Sequence, residues 1–152
     1  MDFGEYAMNK YAELKNKQQK EINAFPLGCC FNQKQFEDMM EKWNLKPTDT
    51  KKIYSIGAGC YIRKSDKETF ETLLIKLEEE KKKAIAEDTT GDGFIYDMFI
   101  YELANHEYCI TMDLTDAIYA LGLSIDAINK DERLQHGLTK AVKDYLADQR
   151  KY

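Results

Sequence analysis

The run Phe94-Ile95-Tyr96-Asp97-Met98-Phe99-Ile100-Tyr101-Glu102-Leu103-Ala104-Asn105-His106-Glu107-Tyr108-Cys109 decides how this chain is read. It is the most apolar stretch of the sequence, yet it falls short of the roughly 20 residues that a membrane-spanning helix needs. At 100° per residue, Glu102, Asn105, His106 and Cys109 stand at i, i+3, i+4 and i+7 and gather in one sector of roughly 100°. Most of the remaining surface of such a helix is apolar. A helix that is apolar on most sides belongs in a core, so the spacing predicts a central helix over 94–109.

The segments flanking this run also read as helices. Residues 3–24 carry a thin apolar stripe of Tyr6, Tyr11, Leu14 and Ile22, with lysines and glutamates on the other face. Phe25-Pro26-Leu27-Gly28 ends that helix, because proline disfavours helical geometry in the residue before it. Asn32 with Gln35 is a capping-box pair, and Phe31 with Phe36 the matching staple, for a helix to about Asn44. Ile53-Tyr54-Ser55-Ile56 and Cys60-Tyr61-Ile62, joined by Gly57-Ala58-Gly59, form a β-hairpin. Ser65 and Glu68 read as a second capping box that opens a helix to about Glu87. After the loop Asp88-Thr89-Thr90-Gly91-Asp92-Gly93 and the central helix, Asp113 and Ser124 are caps and Gly122 is a helix stop. A final helix runs over 131–149. The expected fold is α+β: one predominantly α-helical domain over residues 1–152 with one short antiparallel hairpin.

Composition limits the function classes. At 152 residues with 43% hydrophobic residues, the chain can bury a core without metal or disulfide staples. The net charge of −5 gives no cationic surplus for phosphate binding, so nucleic acid is not an expected partner. The start, Met1-Asp2-Phe3-Gly4-Glu5, lacks a basic region followed by an apolar run, so no secretory signal, no membrane span and a cytoplasmic location are expected. In a reducing compartment Cys29, Cys30, Cys60 and Cys109 should then all be free thiols.

Several constellations could carry chemistry. The leading reading of the Glu102, Asn105, His106 and Cys109 stripe is a face turned to water. A buried, mutually bonded polar cluster comes second, and a working site third. In the third reading Glu102 and His106 orient one another as a base, and His106 stabilises a Cys109 thiolate as nucleophile. Asp88, Thr90 and Asp92, followed by Gly93, resemble the first half of a calcium loop, but Phe99 stands where the bidentate glutamate should be. A turn and helix cap is therefore preferred to a metal site there. Gly57-Ala58-Gly59 reads as a hairpin turn and not as a phosphate cradle. Residues 114–128 have the outline of a helix-turn-helix, without the positive charge that phosphates require. His136 reads as a cap or core contact.

Together, Phe25-Pro26-Leu27-Gly28, Phe31-Asn32 with Gln35-Phe36, Gly57 through Asp66, Tyr101 through Tyr108, and Leu134 with His136-Gly137-Leu138 resemble a family of small uncharacterised proteins of Gram-positive gut bacteria, their conjugative elements and phages. The resemblance spans nearly the whole chain and carries over no functional residue. It implies the context of a mobile-element accessory protein, of which anti-CRISPR factors are one kind. The expectation is a non-enzymatic protein-binding module without a cofactor, whose partner is another protein. Asn105, Glu107 and Tyr108 are the candidate docking residues. The alternative is a small hydrolase or thiol enzyme built on Glu102, His106 and Cys109.

Overall fold

The computed structural model describes residues 9–149. The part of the first helix expected over 3–8, Tyr6 included, lies outside the described residues. The described elements are α1 (Lys10–Ala24), β1 (Gly28–Cys29), α2 (Gln33–Lys42), β2 (Ile53–Gly57), β3 (Cys60–Arg63), α3 (Lys67–Glu87), α4 (Phe94–Asn105), α5 (Tyr108–Thr111), α6 (Thr115–Ala120), α7 (Ile125–Asn129) and α8 (Glu132–Gln149). Short 3-10 turns cover Thr50–Lys52 and Lys64–Asp66. The protein is predominantly helical α+β. Its antiparallel sheet holds the expected hairpin and, in addition, the short strand β1, in the order β1-β3-β2. No helix among the described residues is long and apolar enough to cross a membrane. The chain divides into two compact units, residues 18–79 and a larger unit made of the residues up to Lys17 and from Glu80 onward.

In the larger unit α4 is the centre, as its composition predicts. Phe94, Ile95, Met98, Phe99 and Leu103 are buried at helical spacing and cluster with Ala117, Ile118, Leu121, Ile128, Leu134, Ala141 and Tyr145. Gly137 lets α8 approach α4 closely: a Cβ there would fall 2.5 Å from Ile95 Cγ2 and 2.9 Å from the Gly91 carbonyl oxygen. Asn9 caps α1 by accepting from the Ala12 amide at 2.9 Å. It also donates to the Asp97 carbonyl at 3.0 Å, while the Lys10 amide donates to the Asp97 carboxylate at 2.9 Å. These bonds set the start of α1 against α4. Tyr11 then meets Phe94 and Tyr101 edge-on, with ring centroids 5.9 and 5.3 Å away. Ser124 caps α7 as expected, accepting from the Ala127 amide; Asp113 stands one residue ahead of the α6 cap position, Leu114, and accepts from the Thr115 amide.

One expectation fails in this unit. The helix predicted over 94–109 stops at Asn105. Glu107 takes left-handed geometry at φ 51°, and a new single turn, α5, starts at Tyr108. Met112 is left-handed as well, at φ 53°. No glycine or proline marks the break, so hydrophobic spacing runs straight through it.

In the smaller unit Met39, Met40 and Ile53 form a buried cluster, with Phe36, Trp43, Leu45, Tyr61 and Cys30 packed around it. Ile62, Phe70 and Leu77 are also buried, and Phe25 packs edge-on against Phe70 at 5.1 Å. The start of α2 is capped as its sequence predicts. The Gln35 amide donates to Asn32 Oδ1 at 2.8 Å, and the Phe31 amide to Gln35 Oε1 at 2.8 Å. The staple does not form, because Phe31 is 82% exposed. Nor does Ser65 cap α3. A 3-10 turn leads into that helix instead, with Asp66 accepting from Arg63 Nε at 2.8 Å.

The expectation of four free thiols is also corrected. β1 pairs with β3 in the register Gly28↔Tyr61 and Cys29↔Cys60, and the two opposed cysteines form a disulfide. Cys30 and Cys109 are free. Pairing across the ladder sets the two side chains on one face, a proximity that separation along the chain does not reveal.

Candidate functional site

The most developed polar constellation centres on Glu102. Its side chain is 1% exposed, near the C-terminal end of α4. Both oxygens are occupied. The Tyr11 hydroxyl donates to Oε1 at 2.7 Å, and the Lys15 ammonium to the same oxygen at 3.2 Å. Asn105 Nδ2 donates to Oε2 at 3.3 Å, and His106 Nε2 lies 3.2 Å from that oxygen without a hydrogen-bonding angle. Lys15 also sits over the rings of Tyr11 and Tyr101, 5.5 and 5.1 Å from their centroids. The side of the α1 helix predicted to be solvated thus supplies the counter-charge for Glu102, the one buried carboxylate among the described residues.

Burial pushes the Glu102 carboxyl up. The Tyr11 hydrogen bond, the charge and bond of Lys15, and the Asn105 bond outweigh it, and the net displacement is below the usual carboxylate range. Burial raises the Tyr11 hydroxyl far above the ordinary phenol value, and its bond to Glu102 raises it further, so it stays a donor. A general base works best with a pKa near the operating pH. A carboxylate displaced downward and occupied on both oxygens is not poised for proton abstraction or attack. Of the stripe, Glu102 alone fits the second reading, a buried polar cluster: Asn105 is exposed, and His106 is half-buried without a hydrogen bond from its Nε2. The larger share of the Glu102 bonds comes from two residues of α1 that no spacing rule connects to it.

The helix break takes Cys109 off the stripe. On α5 it is half-buried, next to Tyr145 of α8, whose hydroxyl is pushed up to about 12 by burial and by that thiol. The candidate docking residues separate in the same way. Asn105 and Glu107 are exposed, whereas Tyr108 is buried, its ring centroid 6.4 Å from that of Tyr145.

The 88–93 loop is occupied by its own backbone. Asp88 Oδ1 accepts from the amides of Thr90 and Gly91 at 3.2 and 2.9 Å, and Oδ2 from those of Gly93 and Ile95 at 3.0 Å each. Burial raises this carboxyl and the four amides outweigh it, leaving it lowered. Arg133 Nη1 closes the loop from α8 by donating to the Asp88 and Ile85 carbonyls at 2.6 and 2.9 Å. Asp92 points elsewhere, 2.7 Å from His136 Nε2 and 3.2 Å from Lys140 Nζ. The calcium-loop likeness resolves into a turn that caps α4, and His136 into an exposed contact with Asp92. Among the described residues no group of three or more His, Cys, Asp or Glu side chains is arranged to hold a metal.

Gly57-Ala58-Gly59 joins β2 to β3 with all three residues at positive φ. The helix-turn-helix outline consists of two short helices, α6 and α7, whose Ala117, Ile118 and Ile128 are buried in the larger core.

A family model described as a family of unknown function (DUF7659) matches residues 10–144. No curated protein and no solved structure matches the chain.

Proposed function

This chain belongs to that family of unknown function, and from that premise we propose that it is a non-enzymatic protein-binding module. The observation that carries the reading is the set of exposed apolar side chains in residues 110–125. Ile110, Met112, Tyr119 and Ile125 are 74%, 59%, 84% and 55% exposed. Leaving such side chains in water forgoes about 1.5–3 kcal/mol each. The same segment buries Ala117, Ile118 and Leu121, so the exposed side chains sit on folded backbone. Several large apolar residues presented from one ordered segment are a feature of docking surfaces. Asp113, Asp116 and Asp126 stand among them, so the matching partner surface is apolar with a basic border. The Glu102 network is a scaffold in this reading, fixing the last turn of α4 ahead of that segment.

The finer expectation, an accessory factor of mobile elements that binds a host or defence protein, rests on the sequence resemblance alone. The thiol-enzyme alternative has less support, since the helix break takes Cys109 off the stripe and Glu102 is engaged by Tyr11, Lys15 and Asn105.

Site-specific photocrosslinking in a bacterial host tests the proposal. A photoreactive residue at Tyr119 or Ile110 should give a discrete protein adduct, and one at the exposed Lys82 of α3 should not. Met112→Asp should abolish the adduct while moving Tm by no more than about 2 °C. A folded protein whose Tyr119 and Ile110 probes label no more than the Lys82 probe would refute it.

A further inference from the structure

The disulfide lies in the smaller unit, whereas the residues that carry the docking proposal belong to the larger. Cys29 and Cys60 face one another across the β1–β3 ladder, so the backbone register itself brings the two sulfurs together. Cys29 is exposed and Cys60 half-buried, which leaves the bond open to a thiolate in solution. β1 is two residues long and at the edge of the sheet. Beyond the cross-link, the Cys30 amide donates to the Gly59 carbonyl at 2.9 Å, and Gly28 packs so closely on α2 that a Cβ would fall 2.6 Å from Met39 Cγ. Those contacts keep the two thiols near one another once the bond is open. Strand alternation turns Cys30 to the other face, where it packs on the Met39, Met40 and Ile53 cluster and does not compete for the bond.

We propose that Cys29–Cys60 is a reversible thiol–disulfide exchange site, opened by a thiolate reductant, with loosening of β1 as its structural output. Buried disulfides resist exchange, and exposed ones are the labile class. The reductant thiolate attacks Cys29 Sγ, the more accessible sulfur. The Cys29–Cys60 bond breaks, and its electron pair leaves on Cys60 Sγ, which takes a proton from water. A mixed disulfide now joins the reductant to Cys29. A second reductant thiolate attacks the reductant sulfur of that bond, and Cys29 leaves as a thiolate that is then protonated. In total, two reductant thiols become one disulfide and the protein gains two thiols, a transfer of two electrons and two protons. Such a site reconciles a disulfide-bonded strand pair with the reducing compartment that the sequence leads one to expect.

The experiment uses the full chain without denaturant. After treatment with oxidised glutathione, alkylation and intact mass should count two thiols, Cys30 and Cys109. Reduced glutathione in one arm, and a protein dithiol of the C-x-x-C type in the other, should raise the count to four, and re-oxidation should return it to two. Opening in either arm supports the site and identifies its reductant. Amide exchange at Cys30 should quicken about tenfold on reduction. Cys30→Ser should cycle between one thiol and three. Four thiols after oxidation, a bond that opens only in denaturant, or a Cys30 amide indifferent to reduction would overturn the proposal.

Discussion

The two units are stabilised in different ways. The larger is built on one helix, α4, whose buried side chains join residues from α6, α7 and α8 in a continuous apolar cluster. The smaller clusters Met39, Met40 and Ile53 behind a rim of half-buried aromatics, and adds a covalent link between two strands. Where apolar area is scarce, cross-links commonly supply what packing cannot. The larger unit has enough burial to tolerate a carboxylate in its core, provided that partners reach it. The smaller buries no comparable charge.

Core truncation gives the strongest test of this contrast. Phe99→Ala should lower the stability of the larger unit by about 4 kcal/mol, and Met40→Ala in the smaller cluster should cost about 2 kcal/mol, as read by urea unfolding. Equal losses would erase the distinction. Next in size is the cross-link. Under oxidising conditions Cys60→Ser should cost about 3.7 kcal/mol, the loop-closure entropy expected for a sequence separation of 31 residues, and nothing in excess dithiol. A loss that persists in dithiol would mean that packing around Cys60 matters more than the bond.

The smallest expected effect concerns the buried carboxylate and its pH dependence. The folded protein holds Glu102 and Asp88 below their ordinary range. Their contribution is therefore present above the unfolded values, about 4.3 for glutamate and about 3.9 for aspartate, and is lost as pH falls through the lower folded values. Asp97, raised by burial, works in the opposite sense. Glu102→Gln should cost about 1.5 kcal/mol at neutral pH, through a weakened bond with Tyr11 and Lys15. Its difference from the parent protein should shrink in acid, where the native side chain is itself neutral. Unfolding midpoints that differ equally at pH 7 and pH 3 would show that the charge contributes nothing.

The two regions also differ in how far they could be read from sequence. Side-chain period exposed α4 as the core helix, and local chemistry exposed the caps at Asn32 and Ser124 and the stop at Gly122, because each signal is completed within a few residues. The helix break at Glu107 left no signal, since a glutamate in left-handed geometry is a choice made by packing. β1 is too short for alternation to register, so the Cys29–Cys60 pairing stayed hidden. Glu102, Asn105 and His106 were legible as neighbours on one helix face. Tyr11 and Lys15 were not, because their bonds to Glu102 span 91 and 87 residues.

The way Asp88 gathers the amides around it decides where the protein can be altered by insertion. A surface loop with two glycines looks like a natural place for an epitope tag, but added residues after Thr90 would scatter donors that one side chain now collects and would push Gly91 into Arg133, whose carbonyl oxygen already lies where a Cβ would need to be. Open space surrounds Gly57, with nothing within 4 Å of a Cβ built there. A fluorophore or affinity handle belongs between Gly57 and Ala58.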